Sequence, residues 1–600
     1  MFSKILIANR GEIAIRVARA CKEMGIPSVA VYSEADRDAL HVKAADEAFL
    51  LGGPLPAESY LNVERILQVI QECGADAVHP GYGFLAENAP FAKALEDAGI
   101  TFIGPPASAI DAMGSKTKAR ELMQAAGVPI VPGTTEAVDT YEDALRIAND
   151  EIGFPVAVKA SGGGGGKGFR VALTQDKLKD AFEGASREGE KFFSDGTVYL
   201  ERYLPNPRHV EVQILADKHG NCIHLGERDC SIQRRHQKVI EEAPAPSWVV
   251  DEELRARIGK IGVEAAKAVD YVGAGTIEGL LSSDTGEYFF LEMNTRVQVE
   301  HCVTEMVTGI DIVKQGIRAA AGLELDYKQE DVVLRGHAIE CRINAEDASM
   351  NFAPAPGKIG NYKEPSGPGV RVDSGVGPGG EVTPLYDPMV SKLIVWDADR
   401  EQATARMLRA LGEYEIEGLK TLIPFHTALL QREEWATGDT CHDLLEDKDW
   451  LKTLAFEKVE RVEDDEDEKV TKDYLVEVGG KRFDVKVIGE AFAGGAVAAG
   501  PAANGRKPSR GERKKAAGGG PDLLESPLQG NMWKVLVKQG DEVTEGQLIC
   551  IIEAMKMENE ITAHKAGTIS ELHIEEGQAI NSGAPIATIS APAAEPAAAE

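Results

Sequence analysis

Lys556 is the residue of this 600-residue chain whose neighbours most clearly indicate chemistry. It lies between Met555 and Met557, and short apolar runs rich in β-branched residues surround these three positions. Several residues before it recur 37 positions later: Gly530, Gly540, Gly546, Ile549 and Ile552 correspond to Gly567, Gly577, Gly583, Ile586 and Ile589. A duplicated strand unit predicts that Lys556 occupies the tip of a hairpin, where an amine is suited to carry a prosthetic group. One turn of exposed helix is the alternative interpretation.

A second segment, residues 291–300, has polar side chains at alternate positions. They are Glu292, Asn294, Arg296, Gln298 and Glu300. In an extended chain all five share one face. A hairpin with the preceding strand would add Glu278 to Glu292 and Asn294 as oxygen ligands for Mg²⁺. Arg296 and Gln298 would then suit a small oxyanion and Glu300 a general base, whereas the alternative is an amphipathic strand with a solvated face.

A run of glycines at residues 162–166 follows a predicted strand that ends at Lys159. The run is not a Walker A loop, because Ser161 and Gly168 occupy the positions that need glycine and Ser or Thr. Successive glycines still let backbone N–H groups approach phosphates without hindrance from Cβ atoms. Lys159 and Lys167 favour phosphate binding over a loop that only connects two strands.

Residues 228–238 form a basic cluster in an otherwise acidic chain. Such a cluster favours an anion-binding site, and a basic surface loop is the alternative. His209 and His236, each taken alone, are typical of core or surface histidines.

The elements that must position these residues begin with alternating strand and helix patterns over about the first 110 residues. A buried strand at residues 5–8 and a helix at residues 12–24 predict a parallel α/β unit there. Residues 472–488 contain two strand-like runs around a Gly-Gly pair. Residues 491–520, rich in Ala, Gly and Pro, predict a flexible linker in preference to a basic docking patch.

Composition limits the class of protein. The net charge of −32 disfavours non-specific nucleic-acid or membrane binding. Eight cysteines without metal-binding spacing, no signal-peptide pattern and no long apolar run predict a cytoplasmic protein with reduced thiols.

Five motifs together resemble biotin carboxylase, an ATP-grasp enzyme, across residues 1–448. They are KILIANRGEIA at residues 4–14, HPGYGFL at 79–85, RRHQK at 234–238, EMNTR at 292–296 and ECRINAE at 340–346. The sequence Ala-Met-Lys-Met at residues 554–557 resembles the biotinyl-domain hallmark, whereas lipoyl domains usually lack methionine on both sides of the lysine. The whole chain resembles the α subunits of bacterial acyl-CoA carboxylases.

This resemblance implies a multidomain protein of the α/β and α+β classes. The expected parts are an N-terminal parallel α/β domain at 1–115, an ATP-grasp domain with a glycine-rich lid at 116–330 and a C-terminal biotin-carboxylase domain at 331–448. A linker with a short strand-like segment at 449–520 and an all-β flattened-barrel biotinyl domain at 521–591 follow. Residues 592–600 are expected to be a disordered tail.

The resemblance also implies residue roles. ATP contacts match Lys116, Lys159, Glu201, Leu204, His209, Gln233 and His236, with Gly165 and Gly166 in the lid. The metal site matches Glu278, Glu292 and Asn294, and the bicarbonate site matches Lys238, Arg296, Gln298 and Val299. Lys238, Arg296, Glu300 and Arg342 are the expected catalytic residues: Glu300 matches the base that deprotonates bicarbonate, and Arg342 matches the cation that stabilises the biotin enolate. Lys556 is the expected biotinylated residue.

The implied cofactors are covalent biotin, ATP and Mg²⁺ or Mn²⁺. ATP would phosphorylate bicarbonate, and biotin would capture the CO₂ that is released. The implied partners are a biotin-protein ligase and a separate carboxyltransferase β subunit, with both homo- and hetero-oligomeric assembly and with acetyl-CoA or propionyl-CoA as the final acceptor. Another ATP-grasp ligase, the α subunit of a different biotin-dependent carboxylase, and a carrier without catalytic activity are the alternatives.

Three residues depart from the family pattern. Phe169 replaces a usual methionine in the lid, Cys302 replaces a common proline after Glu-His, and Leu422 replaces a frequent asparagine. None of them removes a catalytic group.

Overall fold

The structure is a computed structural model that describes residues 1–161, 168–193, 195–455, 470–478, 481–489, 522–526, 530–554, 557–580 and 583–590. The predicted lid glycines Gly165 and Gly166, the predicted attachment site Lys556 and the predicted tail at 592–600 lie outside the described residues.

The N-terminal unit is a five-stranded parallel sheet with the strand order β3-β2-β1-β4-β5. Its strands are β1 (Ile5–Ile7), β2 (Ser28–Ser33), β3 (Glu47–Gly52), β4 (Ala77–His79) and β5 (Thr101–Phe102). Its helices are α1 (Gly11–Glu23), α2 (Leu40–Ala44), α3 (Val63–Cys73), α4 (Ala89–Asp97) and α5 (Ala107–Gly114). The predicted parallel unit, its first strand and its first helix are therefore confirmed. The continuous apolar character of β1 follows from burial on both faces of the sheet.

A small three-stranded antiparallel sheet of order β7-β6-β8 comes next in the chain. Its elements are α6 (Lys116–Ala125), α7 (Tyr141–Ile147), β6 (Val156–Ala160), β7 (Phe169–Ala172), α8 (Leu178–Phe193) and β8 (Val198–Arg202). The strand predicted to end at Lys159 is β6, and Lys159 and Glu201 stand on neighbouring strands.

The next block contributes long antiparallel strands. Its elements are β9 (Arg208–Ala216), β10 (Cys222–Arg234), β11 (Gln237–Ala243), α9 (Glu252–Lys267), β12 (Gly273–Leu281), β13 (Tyr288–Asn294), α10 (His301–Thr308) and α11 (Ile312–Ala320). The basic cluster at 228–238 is therefore a β-hairpin and not a surface loop, with its turn at Arg235 and His236.

The C-terminal part of the carboxylase-like region extends the same sheet. Its strands are β14 (His337–Asn344), β15 (Glu346–Asp347), β16 (Ala353–Pro354), β17 (Gly357–Lys358), β18 (Tyr362–Lys363), β19 (Val370–Ser374), β20 (Glu381–Val382), β21 (Met389–Asp397) and β22 (Glu415–Ile416). Its helices are α12 (Arg400–Glu413), α13 (Ile423–Leu430), α14 (Glu433–Thr437), α15 (His442–Glu446) and α16 (Lys448–Lys452). Short 3₁₀ or π turns lie at Glu34–Asp36, Pro56–Glu58, Ala148–Ile152, Gln175–Lys177, Gln329–Asp331 and Ala348–Met350.

One eight-stranded sheet joins the two blocks in the order β13-β12-β9-β10-β11-β14-β21-β19. The pairing of β11 with β14 continues the sheet across the predicted boundary at residue 330. Side chains from both blocks therefore share one sheet face.

The remaining strands form two separate structures. β23 (Val470–Val478) and β24 (Lys481–Gly489) make a two-stranded hairpin. The carrier region contains β25 (Leu523–Glu525), β26 (Gly530–Val535), β27 (Glu542–Val543), β28 (Leu548–Ala554), β29 (Met557–Thr562), β30 (Gly567–Leu572), β31 (Ala579–Ile580) and β32 (Pro585–Ser590).

The carrier strands confirm the duplication predicted from sequence. They form two four-stranded sheets, β25-β32-β30-β27 and β29-β28-β26-β31, in which each half contributes corresponding strands. The matching isoleucines Ile549, Ile552, Ile586 and Ile589 are all fully buried in one core. The hairpin of β28 and β29 pairs Ala554 with Met557, the described residues on either side of the predicted attachment site.

Candidate active site

A cavity of about 940 Å³ brings together the predicted site residues that the structure describes. The sixteen that line it are Lys116, Lys159, Glu201, Leu204, His209, Gln233, His236, Lys238, Glu278, Glu292, Asn294, Arg296, Gln298, Val299, Glu300 and Arg342. Most of them come from the three-stranded sheet, the eight-stranded sheet and the segment after β13, whereas Lys116 begins α6 and Leu204 follows β8. The first βα turn, with Asn9 and Arg10, also lines the cavity.

Lys238, near the start of β11, lines the cavity beside three acidic side chains. Its Nζ donates to Glu211 Oε2 at 2.5 Å, to Glu278 Oε1 at 2.7 Å and to Glu300 Oε1 at 2.6 Å. Burial alone would lower the pKa of this ammonium group, but the three carboxylates outweigh burial and raise the pKa well above its ordinary value. Lys238 therefore carries a fixed positive charge among three acids.

Glu300 is almost fully buried, at 2% exposure, yet it is held as a carboxylate. Arg342 Nη2 donates to its Oε2 at 3.0 Å, and Lys238 occupies the other oxygen. Burial raises the pKa of Glu300, and the two cations more than offset this effect, so the pKa lies below its ordinary value. A carboxylate in this state can accept a proton from a bound substrate.

Arg228 forms hydrogen bonds with residues next to Lys238 and Glu300. The sequence did not indicate that Arg228 is a functional residue. Its guanidinium is fully buried and donates to Glu211 Oε1 at 2.6 Å and to Gln298 Oε1 at 2.7 Å. The contact fixes the Gln298 amide, whose Nε2 donates to Glu278 Oε1 at 2.6 Å. Alternation of His209, Glu211 and Gln213 along β9 is the signal that could have revealed this polar layer.

Oxygen donors suited to a metal lie on the β12–β13 hairpin, as the sequence predicts. Glu278 is directly opposite Glu292, and Asn294 lies opposite Thr276 on the next pair. Lys116 Nζ donates to Glu292 Oε2 at 3.0 Å, and Arg296 Nη2 donates to Asn294 Oδ1 at 2.7 Å. Two carboxylates and an amide oxygen are the hard donor set that Mg²⁺ prefers, so these residues fit such an ion.

The prediction of one extended face from Glu292 to Glu300 is wrong beyond Asn294. β13 ends at that residue, and the following segment is irregular until α10 begins at His301. Met293 and Val297 enter the core while the polar side chains still line the cavity. Arg296 turns toward Glu87, with Nε 2.8 Å from Glu87 Oε2, which strand periodicity does not reveal.

The end of the cavity that Lys159 and Gly168 line is basic. Glu201 is buried between Lys159 and Arg120, and both donate to its carboxylate. Lys159 Nζ also lies 5.6 Å from the centre of the Phe169 ring, whose edge contacts the His236 ring. Phe169, where the family usually has methionine, therefore places an aromatic ring beside Lys159.

The other two residues that depart from the family pattern, Cys302 and Leu422, are buried in the protein core. Cys302 is fully buried in the first turn of α10, where Lys392 Nζ lies 3.2 Å from Sγ and Asp373 Oδ2 lies 3.3 Å away. Leu422 is fully buried before α13, and its backbone N–H donates to the carbonyl of Asn344.

Four family models match successive segments of the chain. They are "Biotin carboxylase, N-terminal domain" at residues 1–110, "Carbamoyl-phosphate synthase L chain, ATP binding domain" at 115–328, "Biotin carboxylase C-terminal domain" at 340–447 and "Biotin-requiring enzyme" at 521–589. The fold and the site define an ATP-grasp ligase joined to a carrier domain.

Individual relatives agree with this class. The biotin-dependent acyl-coenzyme A carboxylase alpha3 subunit of Mycobacterium leprae is 45% identical over 595 residues, which cover 98% of each chain. Biotin carboxylase 1 of Bacillus subtilis is 54% identical over 449 residues, which cover 75% of this chain and 99% of the relative.

A solved structure shows the same fold over the carboxylase region. The biotin carboxylase domain of 2-oxoglutarate carboxylase from Hydrogenobacter thermophilus has a TM-score of 0.72 and 49% identity, and the match covers 76% of this chain and 100% of that one. This chain therefore belongs to the biotin carboxylases, which are ATP-dependent ligases, and it carries a fused biotinyl domain; the cofactors of the family are biotin, ATP and Mg²⁺.

In the part of the chain that the structure describes, every helix is too short or too polar to span a bilayer.

Proposed function

We propose that this chain is the α subunit of a biotin-dependent acyl-CoA carboxylase, which carboxylates biotin on its own Lys556. A separate carboxyltransferase β subunit would transfer the carboxyl group to acetyl-CoA or propionyl-CoA. The observation that carries the proposal is the match to the Mycobacterium leprae α subunit, which covers 98% of both chains and therefore includes the carrier domain.

The α subunit of a different biotin-dependent carboxylase is the second candidate. Relatives described as pyruvate and 2-oxoglutarate carboxylase subunits share 51–56% identity with the carboxylase region. Those matches cover 73% of this chain. They therefore support the biotin carboxylase step but give less information about the acceptor of the carboxyl group.

The site residues suit the activation of bicarbonate. We assign Lys238, Arg296, Gln298 and the backbone at Val299 to bicarbonate binding, because they line the cavity around Glu300. The Glu300 carboxylate would take the bicarbonate proton, and the freed oxygen would attack the γ-phosphorus of ATP. The products are carboxyphosphate and ADP, and carboxyphosphate then decomposes to CO₂ and phosphate.

The nucleotide end of the cavity is assigned to the remaining predicted residues. Lys116, Lys159, Glu201, Leu204, His209, Gln233 and His236 would contact ATP, with Gly165 and Gly166 closing over its phosphates. Exclusion of water by this closure would limit the hydrolysis of carboxyphosphate. Glu278, Glu292 and Asn294 would hold Mg²⁺ or Mn²⁺, which supplies positive charge to the phosphate oxygens when bound.

The acceptor end of the cavity is assigned to Arg342. When attached to Lys556 by a biotin-protein ligase, biotin supplies the ureido nitrogen that receives the carboxyl group. Arg342 would hold the ureido group by its positive charge, which is kept because Glu241 and Glu300 raise the pKa of the guanidinium despite burial.

The hairpin of β23 and β24 is proposed to help dock the carboxyltransferase. An isolated two-stranded hairpin is marginally stable in water, so a partner surface would stabilise it. In its register, Tyr474 pairs with Val485 and Val476 pairs with Phe483.

Purification of the native complex through its biotin, followed by acceptor assays, tests the proposed function. We expect a co-purifying carboxyltransferase and bicarbonate-dependent ADP release that acetyl-CoA or propionyl-CoA stimulates. Stimulation by pyruvate or 2-oxoglutarate alone would favour the second candidate. Deletion of residues 470–489 should abolish co-purification while autocarboxylation persists, and an undiminished complex would exclude the docking role.

A further inference from the structure

Two buried glutamates, Glu241 and Glu340, face each other behind Arg342. Glu241 on β11 is directly opposite Glu340 on β14 in the antiparallel pairing. Both residues are completely inaccessible to solvent. Since directly opposed side chains on antiparallel strands have Cβ atoms about 5 Å apart, the two carboxyl groups share one small space.

Glu241 fixes the orientation of Arg342. Glu241 Oε1 accepts from Arg342 Nε at 2.6 Å and lies 2.5 Å from Nη2. Nη2 of the same guanidinium also donates to Glu300 Oε2 at 3.0 Å. The arginine is therefore held between Glu241 and the proposed base, and its rotation is restricted from both sides.

Three oxygens of the glutamate pair remain without a partner among the described residues. They are Glu241 Oε2 and both carboxyl oxygens of Glu340. Buried polar atoms in folded proteins almost always have a hydrogen-bond partner, so this group of three requires an explanation. A carboxyl group that carries a proton becomes a donor, and an opposed carboxylate oxygen is a suitable acceptor.

The charges around the pair favour one shared proton. The charge of Lys392 lowers the pKa of Glu340. Its Nζ, however, contacts other groups: the Val299 carbonyl at 3.0 Å and Glu12 Oε1 at 3.1 Å. Burial is the largest effect on both acids: it raises the pKa of Glu340 well above its ordinary value and, together with the charge of Glu300, raises the pKa of Glu241 to about 7. Two like charges in one buried site cannot both ionise without a large cost.

We propose that Glu241 is a positioning residue for Arg342, and that Glu340 acts as a neutral acid whose O–H donates to Glu241 Oε2. Glu340 thereby fixes the Glu241 carboxylate, which in turn aims the guanidinium at the acceptor. This inference rests on the proposed assignment of Arg342 to the biotin step.

The test uses the full biotinylated chain and separates two partial reactions. Bicarbonate-dependent ATP hydrolysis, measured with the biotin sequestered by excess avidin, reports the activation of bicarbonate. Fixation of labelled bicarbonate onto the chain, measured without avidin, reports the biotin step. Glu241→Gln should keep ATP hydrolysis within about threefold of wild type and lower label fixation by about 100-fold, because a small misplacement of a catalytic group has costs of that order.

Variants of Glu340 test the proton. Glu340→Gln retains a donor and should fix label at a rate close to wild type, whereas Glu340→Leu removes the donor and should reproduce the loss seen in Glu241→Gln. The infrared spectrum of the wild type should contain the C=O band of a buried protonated carboxyl group, and Glu340→Gln should lack it. Glu242→Gln, on the opposite face of the same strand, is the matched control and should not separate the two reactions.

Arg342→Gln distinguishes the failure of this inference from the failure of its premise. If Arg342→Gln lowers both reactions equally, the assignment of Arg342 to the biotin step is wrong. If Arg342→Gln lowers label fixation more than ATP hydrolysis but Glu241→Gln leaves label fixation unchanged, the positioning role is overturned. An unchanged infrared band in Glu340→Gln, or equal effects of Glu340→Gln and Glu340→Leu, would overturn the shared proton.

Discussion

At the scale of the residue, the site depends on the charge that Glu300 keeps despite its burial. An isolated buried carboxylate would take up a proton, since desolvation penalises the ionised form. Lys238 and Arg342 each contact one of its oxygens and reverse this preference. The proposed base is therefore ionised before a substrate binds.

Replacement of Glu300 by glutamine tests its role as the base. The amide has nearly the same shape but cannot accept the bicarbonate proton, so bicarbonate-dependent ATP hydrolysis should fall by about 10² to 10⁴-fold. The measurement is a steady-state assay of ADP release, with nucleotide affinity as the control for an intact site. Hydrolysis at the wild-type rate would contradict the assignment.

The sequence predicted individual site residues better than the contacts between them. Alternation along residues 291–300 identified Glu292, Asn294 and Glu300, and the hairpin with Glu278 is confirmed. The burial of Arg228 and the pairing of Glu241 with Glu340 were not foreseen. These contacts depend on which strands become neighbours, and local periodicity carries no information about that.

At the scale of the element, the β11–β14 pairing ties two blocks of the chain together. Glu242 on β11 accepts from His337 on β14 at 2.8 Å and from Arg400 on α12 at 2.6 Å. Burial would raise the pKa of Glu242, but the hydrogen bond from His337 and the charge of Arg400 outweigh it and lower the pKa to about 2. This carboxylate therefore joins two strands and a helix.

Acid should destabilise this junction in a defined pH range. Because the folded pKa of Glu242 lies below the ordinary value of 4.5, its contribution is complete above pH 4.5 and is lost as the pH falls toward 2. The wild type should lose up to about 3 kcal/mol of unfolding free energy from this group, and Glu242→Gln should not show that part of the decline.

Tryptophan fluorescence during denaturant unfolding at several pH values provides the measurement, since four of the five tryptophans lie between residues 248 and 450. Glu433→Gln, at an exposed position on α14, is the control and should keep the wild-type pH dependence. Equal slopes for wild type and Glu242→Gln between pH 4.5 and 2 would refute the role of this ion pair.

Element prediction failed where tertiary contacts override a local pattern. For the basic cluster at 228–238 the sequence favoured an anion site over a surface loop, but it did not indicate the β-hairpin in which Arg228 contacts Glu211 on a neighbouring strand. The strand that begins at Tyr288 ends at Asn294, although the polar alternation continues to Glu300. The parallel N-terminal sheet and the duplicated carrier strands were predicted correctly because their signals repeat along the chain.

At the scale of the whole molecule, one chain contains both an ATP-grasp ligase and the carrier of its product. Placing the two on one chain gives the carrier a high effective concentration at the site. Residues 491–520 were predicted to be a flexible linker from their composition, and they lie outside the described residues. The proposed acyl-CoA acceptor would be selected by another protein, and the catalytic motifs do not encode the surface that binds that protein.

In the proposed reaction, ATP drives the fixation of bicarbonate onto biotin at Lys556. Incubation of the purified full-length chain with ATP, Mg²⁺ and labelled bicarbonate, followed by peptide mapping, tests it directly. We predict that the label is found on the peptide containing Lys556, and that Lys556→Arg neither binds avidin nor retains label. Avidin capture of Lys556→Arg, or ATP-dependent labelling at another residue, would contradict the account.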